Sequence, residues 1–166
     1  MLAGLNETQK NEICEFIDGR MPILPNVIRD AVICGNGYWY PIGENVPEVK
    51  AVAYYLDQIY KENLVDLIKD VFEKVGIGSA FGYHPYWFEK QKRWIDIPDL
   101  KIFLYEKDEE GWKFPWICEE YYFDKSRSWI IYVSHEGTIT FAGDTLAKTA
   151  DEVIPTRFKL GTFHSS

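Results

Sequence analysis

Trp129-Ile130-Ile131-Tyr132-Val133-Ser134-His135-Glu136-Gly137-Thr138-Ile139-Thr140-Phe141-Ala142 decides the fold. β-Branched and aromatic residues fill the stretch, and such residues suit a pleated, partly buried surface. Its middle carries Glu136-Gly137, a two-residue turn candidate of the type that needs positive φ. The stretch therefore predicts a hairpin with strands over Ser128 to His135 and Thr138 to Ala142. A two-residue turn fixes the register, placing His135 opposite Thr138, Val133 opposite Thr140 and Tyr132 opposite Phe141.

The two-residue period extends outward from this hairpin. Segments near Phe81 to Phe88, Leu100 to Lys107 and Trp112 to Phe123 read as further strands. Asp108-Glu109-Glu110-Gly111 joins two of them as a hairpin loop. Pro115 cannot donate to a ladder, so its strand is expected to be bulged or at an edge there. After Asp144 a short helix to about Glu152 is predicted, and Arg157 to Phe163 reads as a last strand.

Upstream of Ala80 the period is helical. Thr8 is a candidate N-cap for a helix over Gln9 to Asp18, with Gly19 as its stop. A short helix is expected over Asn26 to Ile33, bounded by Leu24-Pro25 and by Gly35-Asn36-Gly37, with a loop over Tyr38 to Gly43. Pro47 opens the longest periodic segment. Val49, Val52, Ala53, Leu56, Ile59 and Tyr60 recur at three- and four-residue steps, and Leu64, Leu67, Ile68, Val71, Phe72 and Val75 continue the stripe to a stop at Gly76. This predicts either one long helix or two broken near Glu62-Asn63, with Asn63 capping the second. No repeat or linker divides the chain. The expectation is one α+β domain over 1–166, helical over about 8–76 and sheet over about 80–163. Its N-terminal helices would pack on a C-terminal, mainly antiparallel twisted sheet.

Composition narrows the function. The chain has 166 residues, with 26 Asp and Glu against 18 Lys and Arg, a formal charge of −8. Such a chain repels polyanions, so nucleic acid is not the expected partner, and it attracts basic ones. Solubility alone is the plainer use of that charge. No apolar run approaches the roughly 20 residues that span a bilayer. Met1-Leu2-Ala3-Gly4 has neither a basic start nor an apolar run, so no secretory signal is expected. Cys14, Cys34 and Cys118 are odd in number and widely spaced, which points to reduced thiols and a cytoplasmic setting.

Catalytic strings are weak. Ser134-His135-Glu136 lies on a strand end, where neighbouring side chains point to opposite faces. His84, His135 and His164 lack zinc-ligand spacing, and no Cys-x-x-Cys occurs. No Gly-x-Gly-x-x-Gly or P-loop is present, so no nucleotide cofactor is expected. A Cys-His pair around Cys34, or Glu119 and Glu120 as hydrolytic carboxylates, would make a small hydrolase. The many Trp and Tyr rings would equally suit a carbohydrate-binding module.

The acidic hairpin is the most informative feature. Glu106, Asp108, Glu109, Glu110, Glu119, Glu120 and Asp124 stand against Lys107 and Lys113. Trp112, Trp116, Tyr121 and Tyr122 lie in the same span. Aromatic anchors rimmed by charge are what protein interfaces use. The candidate partner-binding residues are therefore Asp108, Glu109, Glu110, Trp112, Trp116, Glu119, Glu120 and Tyr121. The alternative is an exposed sheet face whose charges prevent edge aggregation.

With Leu24-Pro25 followed by Asn36-Gly37, the span from about Ile13 to Gly37 resembles the SMI1/KNR4-like superfamily. Its members typically have an early helix, a Leu-Pro, a short helix and an Asn-Gly before an α+β sheet. The predicted helix after Pro47 departs from that order. The string from Trp129 to Gly137 also looks like the sheet hairpins of small immunity proteins. Many members of the superfamily are bacterial immunity proteins that bind and neutralise toxins. The resemblance implies a non-enzymatic protein that binds and neutralises a toxin; with the acidic charge and the absent metal and cofactor motifs, the expectation is an inhibitor of a basic, nuclease-like toxin that uses neither metal nor cofactor.

Overall fold

The computed structural model describes residues 6–11, 50–84, 94–115, 120–126, 128–134 and 136–164. The chain is α+β. In chain order the main elements are β1 (Lys50–Tyr55), α1 (Leu56–Lys61), α2 (Asp66–Val75), β2 (Ala80–Tyr83), β3 (Trp94–Ile97) and α3 (Leu100–Phe103). There follow β4 (Lys107–Asp108), β5 (Gly111–Trp112), β6 (Glu120–Phe123), β7 (Ile130–Ser134), β8 (Thr138–Ala142), α4 (Asp144–Val153) and β9 (Lys159–His164). Seven strands form one antiparallel sheet in the order β3-β2-β6-β7-β8-β1-β9, and β4 pairs only with β5.

The chain does not simply run from helices to sheet. Residues 50–55, expected as the start of a long helix, form β1 between β8 and β9. Ala51, Val52, Ala53 and Tyr54 are all fully buried. A strand covered on both faces needs no polar alternation, so its apolar positions imitate helical steps. The helical stripe does break at Glu62-Asn63, but Asn63 is not a cap. It takes a left-handed φ of 56°, a conformation asparagine tolerates better than most residues. Gly76 ends α2 as expected, at φ 82°, with its N–H bonded to the Phe72 carbonyl at 2.9 Å.

Two further readings are corrected. Residues 100–103 form a helix rather than a strand, because the Asp99 carboxylate accepts from the Lys101 N–H at 2.9 Å and caps it. At the chain start, Asn6 replaces Thr8 as the cap. Asn6 Oδ1 accepts from the Gln9 N–H at 2.9 Å, while Gln9 Oε1 accepts from the Asn6 N–H at 3.0 Å, a reciprocal capping box over residues 7–11. The rest of the first predicted helix, the Asn26 to Ile33 helix, the Tyr38 to Gly43 loop and the Leu24-Pro25 and Asn36-Gly37 motifs lie outside the described residues.

The β7–β8 hairpin exists, with its register moved by one. Ser134 faces Thr138, Val133 faces Ile139 and Tyr132 faces Thr140. Three residues form the loop, and Gly137 supplies its left-handed position at φ 71°. The Gly137 N–H donates to the Ser134 carbonyl at 3.1 Å.

Register separates the sheet's two faces. Val52, Tyr54, Tyr122, Ile131, Val133, Ile139 and Phe141 form one core with Ile59 of α1, Ile68 and Phe72 of α2, and Leu146 and Ala150 of α4. Burying each large side chain contributes about 1.5–3 kcal/mol before entropy is counted. The other face carries rings paired across strands. Tyr83 meets Trp94 at 4.7 Å, Phe81 meets Phe123 at 6.0 Å and Tyr121 stacks on Tyr132 at 5.0 Å. Each pair is also a register pair, the contact that stabilises sheets. Much of the aromatic surplus in the sequence is spent here.

A polar hub holds α4 to the sheet. Asp151 accepts from the Tyr54 hydroxyl at 2.9 Å, from Lys50 Nζ at 3.2 Å and from Lys159 Nζ at 2.8 Å. Burial alone would raise the Asp151 carboxyl, but the bonds from Lys159, Tyr54 and Lys50 outweigh it and hold it below its usual range. A depressed folded value stabilises above the unfolded value, and that stability is lost as pH falls through the folded value. Asp151→Asn is therefore expected to cost about 1–3 kcal/mol at neutral pH. The gap to wild type should narrow below about pH 4. Urea unfolding of both proteins from neutral to acid pH checks this, and a gap that widens on acidification would contradict it.

Candidate functional site

The predicted acidic loop is a true hairpin tip. Asp108 pairs with Gly111 across the β4–β5 ribbon. Asp108 Oδ1 accepts from the Glu110 N–H at 2.9 Å and the Gly111 N–H at 3.1 Å. This is an Asx-type turn, in which the side chain replaces a backbone acceptor. It leaves Glu109 and Glu110 at the tip, both exposed.

The ribbon is anchored at its base. Phe114 is buried, stacks on Tyr122 at 5.2 Å and meets Phe103 edge-on at 6.2 Å. Lys113 pairs with Glu106 at 3.1 Å. Lys107 Nζ lies 4.0 Å over the Trp112 ring, and that ring also leans on Tyr60 at 5.7 Å. These contacts fix the Trp112 orientation while leaving the residue 40% exposed. Pro115 follows a cis peptide bond and lies in neither strand.

Exposed apolar surface gathers at the same place. Among the described residues the large exposed hydrophobics are Ile102 at 62%, Trp112 at 40% and Tyr105 at 37%. The Tyr105 hydroxyl donates to Asp66. Partial burial, the bond to Asp66 and the charges of Asp66, Asp70 and Glu73 together raise its phenol above the usual range. The acidic surface of the hairpin thus approaches that of α2.

A groove of about 610 Å³ runs between β3 and the hairpin. Asp96, Asp99, Glu106, Asp108 and Glu110 line it, and Lys113 is the one basic residue lining it among the described residues. Ile102 and Trp112 supply apolar wall. A smaller groove, about 510 Å³, lies at the end of β2 and shares Asp96. Among the described residues no group of three or more His, Cys, Asp or Glu is placed to hold a metal ion.

The structure gathers Asp108, Glu109, Glu110 and Trp112 on one exposed ribbon. Trp116 and Glu119 lie outside the described residues. Glu120 and Tyr121 are fully buried, so neither offers surface to a partner in the folded chain. They belong to β6, between β2 and β7. Glu120 sits opposite Val133 on the helix-covered face and accepts from the Tyr122 hydroxyl. Tyr121 spends its ring on Tyr132. Asp124 is also structural, accepting from the Ser126 N–H at 2.8 Å and from Trp129 Nε1 at 3.0 Å. Sequence reasoning missed Asp96, Asp99 and Ile102 as neighbours of the hairpin. The Pro98-Asp99 pair was the available signal, since it announces the helix that turns Ile102 outward.

The hydrolytic candidates do not assemble among the described residues. Ser134 is buried, with its hydroxyl 2.9 Å from that of Thr138. Glu120 lines neither groove. Cys14, Cys34, Cys118 and His135 lie outside the described residues. No helix among the described residues is long and apolar enough to cross a membrane. Comparison with protein-family models, with curated proteins and with solved structures finds no match to this chain.

Proposed function

We propose that the chain is a non-enzymatic binding protein of the cytoplasm, an immunity-type inhibitor that covers a basic, nuclease-like toxin. One observation carries this reading. The described large hydrophobics left exposed fall between Ile102 and Trp112, interleaved with Glu106, Asp108, Glu109 and Glu110. Rings and aliphatic side chains inside a charged rim supply affinity, while the rim supplies steering.

The test is co-expression with the product of the gene directly upstream, scoring growth and complex formation. Wild type should restore growth and bind that product. The tip variant Glu109→Lys/Glu110→Lys alters only exposed side chains. It should slow association about tenfold at low salt and flatten the salt dependence. Neutralisation that survives with an unchanged rate at every salt concentration would remove steering from the account. An upstream product that is harmless and unbound would end the inhibitor reading.

A further inference from the structure

We infer that the partner engages this site with an extended, lysine- or arginine-bearing segment that adds as a strand to the outer edge of β3. This rests on the binding reading above and specifies the form of its ligand.

β3 ends the sheet order, paired with β2 on one side; among the described residues nothing pairs with its other side. Successive side chains of a strand point to opposite faces. Ile95 and Ile97 face the helices with Gly82 and Ala80, while Trp94 and Asp96 face the other way with Tyr83 and Phe81. A groove lying over one face would touch alternate residues. This groove touches Ile95, Asp96 and Ile97 in succession, so it runs along the backbone edge. Its far wall is the hairpin, with Ile102, Trp112, Glu106, Asp108 and Glu110. The result is a slot with main-chain hydrogen-bonding groups on one side and carboxylates with apolar side chains on the other.

Strand addition draws affinity from main-chain bonds and selectivity from alternate side chains. Charge decides the occupant. Asp96 on an open edge opposes pairing with a second copy, which would bring like carboxylates together. A basic strand reverses that sign at Asp96 and meets the acidic wall as well. The slot therefore favours a cationic segment of another protein over self-association.

The test titrates the full chain with a synthetic eight-residue peptide of alternating lysine and valine, read by calorimetry and tryptophan fluorescence. Two further peptides carry N-methyl groups on every valine or on every lysine. An added strand directs only alternate amides toward its neighbour. One methylated peptide should lose at least tenfold in affinity while the other stays within about twofold of the parent. Asp96→Lys should weaken the parent peptide about fivefold. Equal loss from both methylations, no loss from either, or no binding of the parent peptide overturns strand addition. The upstream product separates the two ideas. If it binds and is neutralised, but neither the peptide nor Asp96→Lys affects its binding, the inhibitor reading stands and strand addition falls. If the peptide behaves as expected while that product is unbound, the slot stands and the toxin assignment falls.

Discussion

Gly143→Ala is expected to destabilise the protein by about 3–5 kcal/mol, summing backbone strain and overpacking. Gly143 joins β8 to α4 at φ 118°, a conformation side-chain-bearing residues rarely adopt. A Cβ there would lie 2.6 Å from the Ser128 carbonyl oxygen and 3.2 Å from Trp129 Cα. Both are backbone atoms and cannot rotate away. Gly143 also has little freedom to move. Its N–H donates to the Lys50 carbonyl at 3.0 Å, and its carbonyl accepts from the Ala147 N–H at 2.8 Å. Gly78→Ala is the control, since no heavy atom beyond its chain neighbours lies within 4 Å of its Cβ position and its φ lies outside the left-handed range. That change should stay within about 1 kcal/mol of wild type. Urea unfolding of both variants checks the contrast, and similar losses for the two would refute the packing argument.

Phe141→Ala should cost a comparable 3–5 kcal/mol, approximately the range for deleting a buried aromatic ring. Phe141 is fully buried on the helix-covered face. Register places it between Val52 of β1 and Ile131 of β7, and its ring meets Tyr54 edge-on at 6.0 Å. The deletion therefore opens a hole where three strands and the helices meet. Phe141→Leu refills much of that space and should cost about 1.5 kcal/mol or less. Thermal unfolding followed by circular dichroism reads both. An alanine variant as stable as the leucine variant would show that the core collapses around the missing ring.

The same residues explain what was legible in the sequence. Thr138–Ala142 was readable to the residue, because β-branched and aromatic side chains left no competing pattern. The register was not, because Glu136-Gly137 signals a turn without saying whether the loop has two residues or three. β1 read as helix because burial on both faces erases the alternation that marks a strand. α3 read as strand because Ile102 and Phe103 suit either element, and only the Asp99 cap decides between them. At the site, Asp108 to Trp112 was legible as a charged turn with a ring beside it. Glu120 and Tyr121 were assigned to the same surface because acids and rings adjacent in sequence look alike before pairing separates them. The Ile95–Ile97 wall was invisible, since only folding brings β3 beside the hairpin.

The pairing of β1 with β9 carries a consequence for synthesis. Lys50 lies opposite His164, so the strand that completes one flank of β1 is translated after every other strand of the sheet. Until then one backbone edge of β1 lacks its partner, and an unpaired edge invites association with neighbouring chains. Biogenesis, more than the finished molecule, is where this topology is exposed to misassembly and to chaperone capture.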